Sequence, residues 1–96
     1  MSEQEYTLQV PVDAHGETIA KLVLKRPTGE QVGRLGLPYV AVGEAPDFKM
    51  AVVMKYIVAL AGVPDSTVRQ MDPVDLNSLA WVVCGFFLGL VTQPQS

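Results

Sequence analysis

The sequence predicts an α+β domain: an amino-terminal β-hairpin followed by about three helices, the last of them, about 73–90, the most apolar. Three observations carry this. Apolar and polar residues alternate on both sides of a polar break at residues 13–16, as in a half-buried strand pair. Apolar residues recur at helical spacing over residues 50–61 and again over 76–90. Gly62 with Pro64, and Asp72 with Pro73, punctuate the helical half where one helix stops and the next begins. With 96 residues the chain is expected to form one domain, 1–96, with an ordered core of about 5–91 and flexible ends.

The first strand runs from Tyr6 to Val12, with Tyr6, Leu8, Val10 and Val12 on one face and Thr7, Gln9 and Pro11 on the other. Pro11 cannot donate to a ladder, which puts this strand at an edge. Asp13-Ala14-His15-Gly16 reads as the hairpin turn, with Gly16 free to take a positive φ. Glu17 to Lys25 is the returning strand. Its alternation through Ile19, Leu22, Val23 and Leu24 is imperfect, leaving the register and a bulge open.

Pro27 ends the strand, and Thr28 with Gln31 matches a capping box. The helix that follows is poor, because Gly29, Gly33 and Gly36 each cost about 1 kcal/mol relative to Ala in a helix interior. One or two turns are expected, stopping near Leu37 before Pro38. Tyr39 to Pro46 reads as a connection. The second helix is predicted to begin at Ala45-Pro46-Asp47 and to carry an apolar stripe of Met50, Val53, Met54, Ile57, Leu60 and Ala61, with Lys49 and Lys55 on the wetter side. Asp65-Ser66-Thr67 opens a short turn of helix through about Gln70. An Asp72 cap followed by Pro73 opens the last helix, expected from Pro73 to about Leu90. Leu76, Leu79, Ala80, Val83, Phe86, Phe87 and Leu90 form its stripe, yet Trp81, Val82, Cys84 and Leu88 are apolar too. Residues 93–96 read as a frayed tail.

Composition excludes several functions. Apolar residues make up 49% and charged residues 18%, against about 25% charged in an average domain, so the chain is not of the disordered class. The net charge is −3 and no basic run exceeds Lys25-Arg26, so the cation cluster of a nucleic-acid binder is absent. The acidic amino terminus lacks the apolar core of a signal peptide, which points to the cytoplasm. The uncharged run from Leu79 to Val91 spans about 20 Å as a helix, short of the roughly 30 Å hydrocarbon layer. No membrane span is expected.

Catalysis is not expected either. His15 is the single histidine and the single cysteine, Cys84, lies far from it in an apolar run, so no nucleophile, base or metal-ligand set can be assembled. No cofactor is implied. The glycines at 29, 33 and 36 lack the Gly-Lys-Ser/Thr of a phosphate loop. What remains is a surplus of apolar surface, since a helix apolar all round must be covered all round. The candidate partner-binding residues are Trp81, Phe86, Phe87 and Leu88, with Met50 and Met54, and the preferred anchors are Trp81 and Phe87. Met71 is a further candidate for an adaptable groove. Plain core packing competes with docking for every one of these side chains.

The order of punctuation marks resembles that of the small tail assembly chaperones of Mu-like and related contractile-tailed bacteriophages. The strand pair closes on Leu22-Val23-Leu24-Lys25-Arg26-Pro27-Thr28. A helix ends in Leu60-Ala61-Gly62-Val63-Pro64, and Met71-Asp72-Pro73-Val74-Asp75-Leu76 leads a helix running on to Phe86-Phe87-Leu88. The resemblance covers about residues 6–90. It departs in the glycine-rich first helix and in an apolar Leu37–Val42 segment. The resemblance implies a non-enzymatic protein that binds the tape measure protein, keeps it soluble in the host cytoplasm, helps tail tube subunits gather, and leaves before the virion is finished. A homo-oligomer is expected. The alternative is a small structural or adaptor subunit that stays in the tail as a homo-oligomer.

Overall fold

The computed structural model describes residues 3–42 and 45–88. Strand β1 (Glu3–Ala14) pairs antiparallel with β2 (Glu17–Lys25). The loop between them is His15-Gly16 alone, with φ of 54° and 80°. Two successive positive φ values give the twist that a two-residue hairpin needs, so the turn is tighter than residues 13–16 suggest. Asp13 and Ala14 stay in the strand, and the Thr18 hydroxyl donates to Asp13 Oδ1 across the pair at 3.0 Å.

The predicted face of β1 is corrected by a bulge. Thr7 pairs with Lys21 and Val12 with Ile19, so five steps along β1 answer two along β2. Such an insertion bends the strand and breaks its period of two. Leu8 and Val12 are buried and Tyr6 partly so, but Val10 is turned out and 45% exposed. On β2, Leu22 and Leu24 face the core while Val23 faces out.

Helix α1 (Gly29–Leu35) carries the expected capping box: Gln31 N–H donates to Thr28 Oγ1 at 3.2 Å and Thr28 N–H to Gln31 Oε1 at 3.0 Å. It stops at Gly36, whose φ is 83°, and buries none of its residues. The expected connection over Tyr39 to Pro46 is instead a second ribbon, β3 (Tyr39–Val42) paired with β4 (Ala45–Phe48). Every strand of a two-stranded ribbon is an edge, so Pro46 is tolerated there. Lys49 N–H closes the base of the ribbon on the Pro38 carbonyl at 2.9 Å. Helix α2 therefore begins at Met50, not at residues 45–47.

Helix α2 (Met50–Ala61) buries Val53, Tyr56, Ile57 and Leu60 and ends on Gly62 in the left-handed region, φ 70°. Tyr56 was not among the predicted core residues. Its ring is fully buried while its hydroxyl donates to the Gly36 carbonyl at 2.5 Å, satisfying the polar tip. The short α3 (Asp65–Arg69) is tied to β1 by the Thr67 hydroxyl, which donates to the Asp13 carbonyl at 2.6 Å. Helix α4 (Pro73–Leu88) follows, and Val74 N–H donates to Asp72 Oδ2 at 3.0 Å as the Asp-Pro signal predicts. Its expected end near Leu90 and the tail at 93–96 lie outside the described residues. The core forms where α2 and α4 meet the inner face of the hairpin, with Leu24, Val53, Ile57, Val68, Leu79 and Val83 at its centre.

Candidate partner-binding surface

Helix α4 is held at both ends by other parts of the chain. At its start, Asp75 is fully buried, and its carboxylate reaches the bulge of β1. Oδ1 accepts from the Tyr6 hydroxyl at 2.8 Å and from Gln9 N–H at 2.9 Å; Oδ2 accepts from Val10 N–H at 3.1 Å and from Gln9 N–H, also at 3.1 Å. Burial alone would raise this carboxyl's pKa, but the bonds from Gln9, Tyr6 and Val10 outweigh it and hold it below the ordinary value. The Tyr6 hydroxyl is pushed up, by burial first and also by the adjacent carboxylate. The bulge frees two amides from the ladder and Asp75 takes them. Nothing in the sequence distinguishes Asp75 from an ordinary first-turn carboxylate at a helix amino terminus.

At its other end α4 lies against the β3–β4 ribbon. Trp81 meets Phe48 edge-on with ring centroids 4.9 Å apart, and Phe87 meets Tyr39 at 6.3 Å and Tyr56 at 5.5 Å. The Cys84 thiol sits 3.9 Å from the Pro38 carbonyl, and burial raises its pKa to about 11. It is an inert packed thiol, far from the thiolate a nucleophile requires.

These contacts sort the predicted residues. Phe86 is buried in the core and is not available to a partner. Phe87, Met50 and Met54 are partly buried and packed against that core, and Met71 is buried in it. Trp81 is 48% exposed and Leu88 38%. Val74, not singled out before, is 51% exposed. Its seven-residue spacing from Trp81, and that of Trp81 from Leu88, puts all three on one side of the helix. Between Trp81 and Leu88 the helix is covered at Cys84 and Gly85. Val10 is drawn against the first turn of α4 by its bond to Asp75 and leaves a fourth apolar side chain open nearby. The spacing was readable in the sequence; which side stays open was not.

His15 is exposed in the hairpin turn, its Nε2 3.4 Å from the Gly62 carbonyl. Among the described residues no group of three or more His, Cys, Asp or Glu side chains could hold a metal ion, and no helix is long and apolar enough to cross a membrane.

The family model for phage tail assembly chaperone proteins, "E, or 41 or 14", matches residues 5–88, from β1 to the last described residue of α4. The chain belongs to the phage tail assembly chaperones. Membership implies an assembly role and not a catalytic one, with a phage tail protein as partner. No curated protein and no solved structure is significantly similar to it. The matched span includes the residues of the Asp75 latch and of the open side of α4.

Proposed function

We propose that this chaperone binds the tape measure protein through the Val74–Trp81–Leu88 side of α4, keeps it soluble in the host cytoplasm while the tail is built, and is not retained in the virion. The observation that carries the reading is a half-exposed tryptophan, seated edge-on against Phe48, on a helix that is otherwise the wall of the core. A large aromatic held in place by its neighbour presents area without a large entropy cost on binding, which is the usual character of an interface anchor. Of the predicted site residues the proposal keeps Trp81 and Leu88 as contacts. Phe87, Met50 and Met54 are partly buried against the core and are not part of the proposed contact.

Three half-open side chains offer on the order of 300 Å², against roughly 800 Å² per partner in a standard stable interface. That area suits a contact that forms and releases, and it favours a chaperone over a permanent subunit or a dimer joined through this face. An apolar helical partner supplies the complementary surface, and tail tube subunits are the natural competitors for it. A net charge of −3 keeps the unbound protein from precipitating through the same surface.

The test is co-expression with the tape measure gene product of the same tail, scoring how much of the latter stays soluble and co-purifies. Rescue by the wild-type chain and loss of rescue by folded Trp81→Ser/Leu88→Ser is expected. Equal insolubility with and without the folded wild-type chain overturns the chaperone reading and favours the structural subunit. Rescue that survives the double substitution overturns the assignment to α4.

A further inference from the structure

A second surface lies away from α4. A cleft of about 260 Å³ opens between α1, α2 and α3, lined by Arg34, Leu35, Lys55, Val58, Ala59 and Asp65. Its apolar part comes from Leu35, Val58 and Ala59, all only partly buried by the chain itself. Arg34 and Lys55 are exposed beside it, and neither forms an ion pair among the described residues. Asp65 also borders the cleft, but its carboxylate is engaged by Arg69 at 2.5 Å. Two unneutralised cations flanking an apolar depression stand out on a chain whose net charge is −3.

From this we propose a peptide-docking site: the α1–α2–α3 cleft takes a short acidic segment of a partner protein, one apolar side chain entering over Val58 and Ala59 and flanking carboxylates pairing with Arg34 and Lys55. The cleft is small, about 260 Å³ against roughly 300–1,000 Å³ for small-molecule sites, which suits one or two side chains of a peptide. Charge complementarity selects the occupant. Arg34 presents a planar fork for a carboxylate and Lys55 a mobile point charge, and the apolar depression rewards a neighbouring aliphatic group. A nucleic acid would meet only two cations here and would leave the apolar surface uncovered. The site shares no residue with the α4 surface, so it does not rest on the tape measure reading.

The probe is a fluorescein-labelled peptide with one leucine between pairs of glutamates, titrated by fluorescence anisotropy in low salt. Matched peptides carry lysines for the glutamates, or glycine for the leucine. Saturable binding of the acidic peptide is expected, weakened at least tenfold by Arg34→Glu/Lys55→Glu, lost with the lysine peptide, weakened with the glycine peptide and unchanged by Trp81→Ser. Both cations are exposed, so the double variant should fold; Arg34→Gln/Lys55→Gln serves if circular dichroism shows that it does not. No binding at millimolar protein, an affinity unchanged by the charge reversal, or equal displacement by a single-stranded oligonucleotide would each overturn the proposal.

Discussion

Asp75 is the residue whose removal should reveal most about this fold. Its carboxylate accepts from three separate donors, the Tyr6 hydroxyl and the Gln9 and Val10 amides, and joins positions 65 to 69 residues apart in sequence. Asp75→Ala leaves all three without their acceptor at a part-buried site. An unsatisfied buried donor costs about 1–3 kcal/mol. Taking the low end for each, because the bulge lies near the surface, the loss is at least about 3 kcal/mol out of the roughly 5–15 kcal/mol typical of a domain. Asp75→Asn keeps the shape and one oxygen. With that oxygen in the Oδ2 position, Val10 N–H and the longer of the two Gln9 N–H bonds are kept and the new amide can donate to the Tyr6 hydroxyl oxygen, while the shorter Gln9 bond to Oδ1 is lost. What is then lost is mainly the charge assistance, about 1–2 kcal/mol. Tyr6→Phe removes a single donor together with its bond and should cost about 1 kcal/mol.

Urea unfolding followed by Trp81 fluorescence measures all three variants, and the thermal midpoint should fall by about 4–8 °C for each kcal/mol lost. The predicted order is Ala well below Asn, with Phe near Asn. Amide exchange adds a local readout, since Gln9 and Val10 should lose protection before the β1–β2 ladder does. The acid limb carries the sign. A carboxyl whose folded pKa is depressed contributes stability that is present above its unfolded value, near 3.9, and is lost as pH falls through the lower folded value. The wild-type chain should therefore lose stability more steeply than Asp75→Asn in that acid range. An Asp75→Ala protein within about 0.5 kcal/mol of wild type, or parallel acid limbs for wild type and Asn, would refute the reasoning.

The two sides of α4 should separate cleanly. Trp81→Ser loses an exposed half-ring and one edge-on pair, worth about 0.5–1.5 kcal/mol beyond area, whereas Phe86→Ala should cost about 3–5 kcal/mol by opening the core. Equal losses in urea unfolding would show that Trp81 is a core residue after all. Cys84, with its thiol pKa raised to about 11 by burial, should resist iodoacetamide at pH 8 in the folded protein and react at once in urea, as mass spectrometry can follow. Thr28→Ala removes the Oγ1 acceptor of the capping box, leaving Gln31 N–H without its side-chain partner while the backbone N–H of residue 28 can still donate to Gln31 Oε1; it should cost about 1 kcal/mol, with amide exchange rising first in α1.

Local signals carried well from sequence to structure where the physics is local. The Thr28–Gln31 box, the Gly62 stop and the Asp72-Pro73 start each depend on residues within a few positions of one another, and each stands where the pattern places it. The β3–β4 ribbon was illegible because strands of four residues hold too few positions to show a period. Pro46 and Asp47 also mimic a helix start. The outward turn of Val10 was hidden for a different reason: a bulge changes which face a residue takes, and alternation alone cannot announce it. Asp75 was hidden because its partners are distant in sequence. The surface suffered from the same gap as the ribbon. Trp81, Phe86, Phe87 and Leu88 were all legible as apolar helix positions, but the elements packed around α4 decide which of them stay open, and the ribbon that meets Trp81 and Phe87 was among them.

The latch and the surface are therefore not independent. Asp75 sits between Val74 and Leu76 and fixes the first turn of α4 against Val10, so it sets the spacing of Val10 and Val74 at one end of the proposed contact. A domain of this size has little interior to spare, and one helix both walls the core and presents apolar side chains outward. A helix end free to shift would blur that outer pattern; a carboxylate held by three donors keeps it in place. The proposed contact thus combines a rigid presentation with a small area. Small area limits the free energy available to each copy and favours release, while rigidity limits the ordering cost of each encounter. On this reasoning Asp75→Asn should reduce rescue of the tape measure protein even at temperatures where the variant is fully folded, although Asp75 itself is buried and touches no partner.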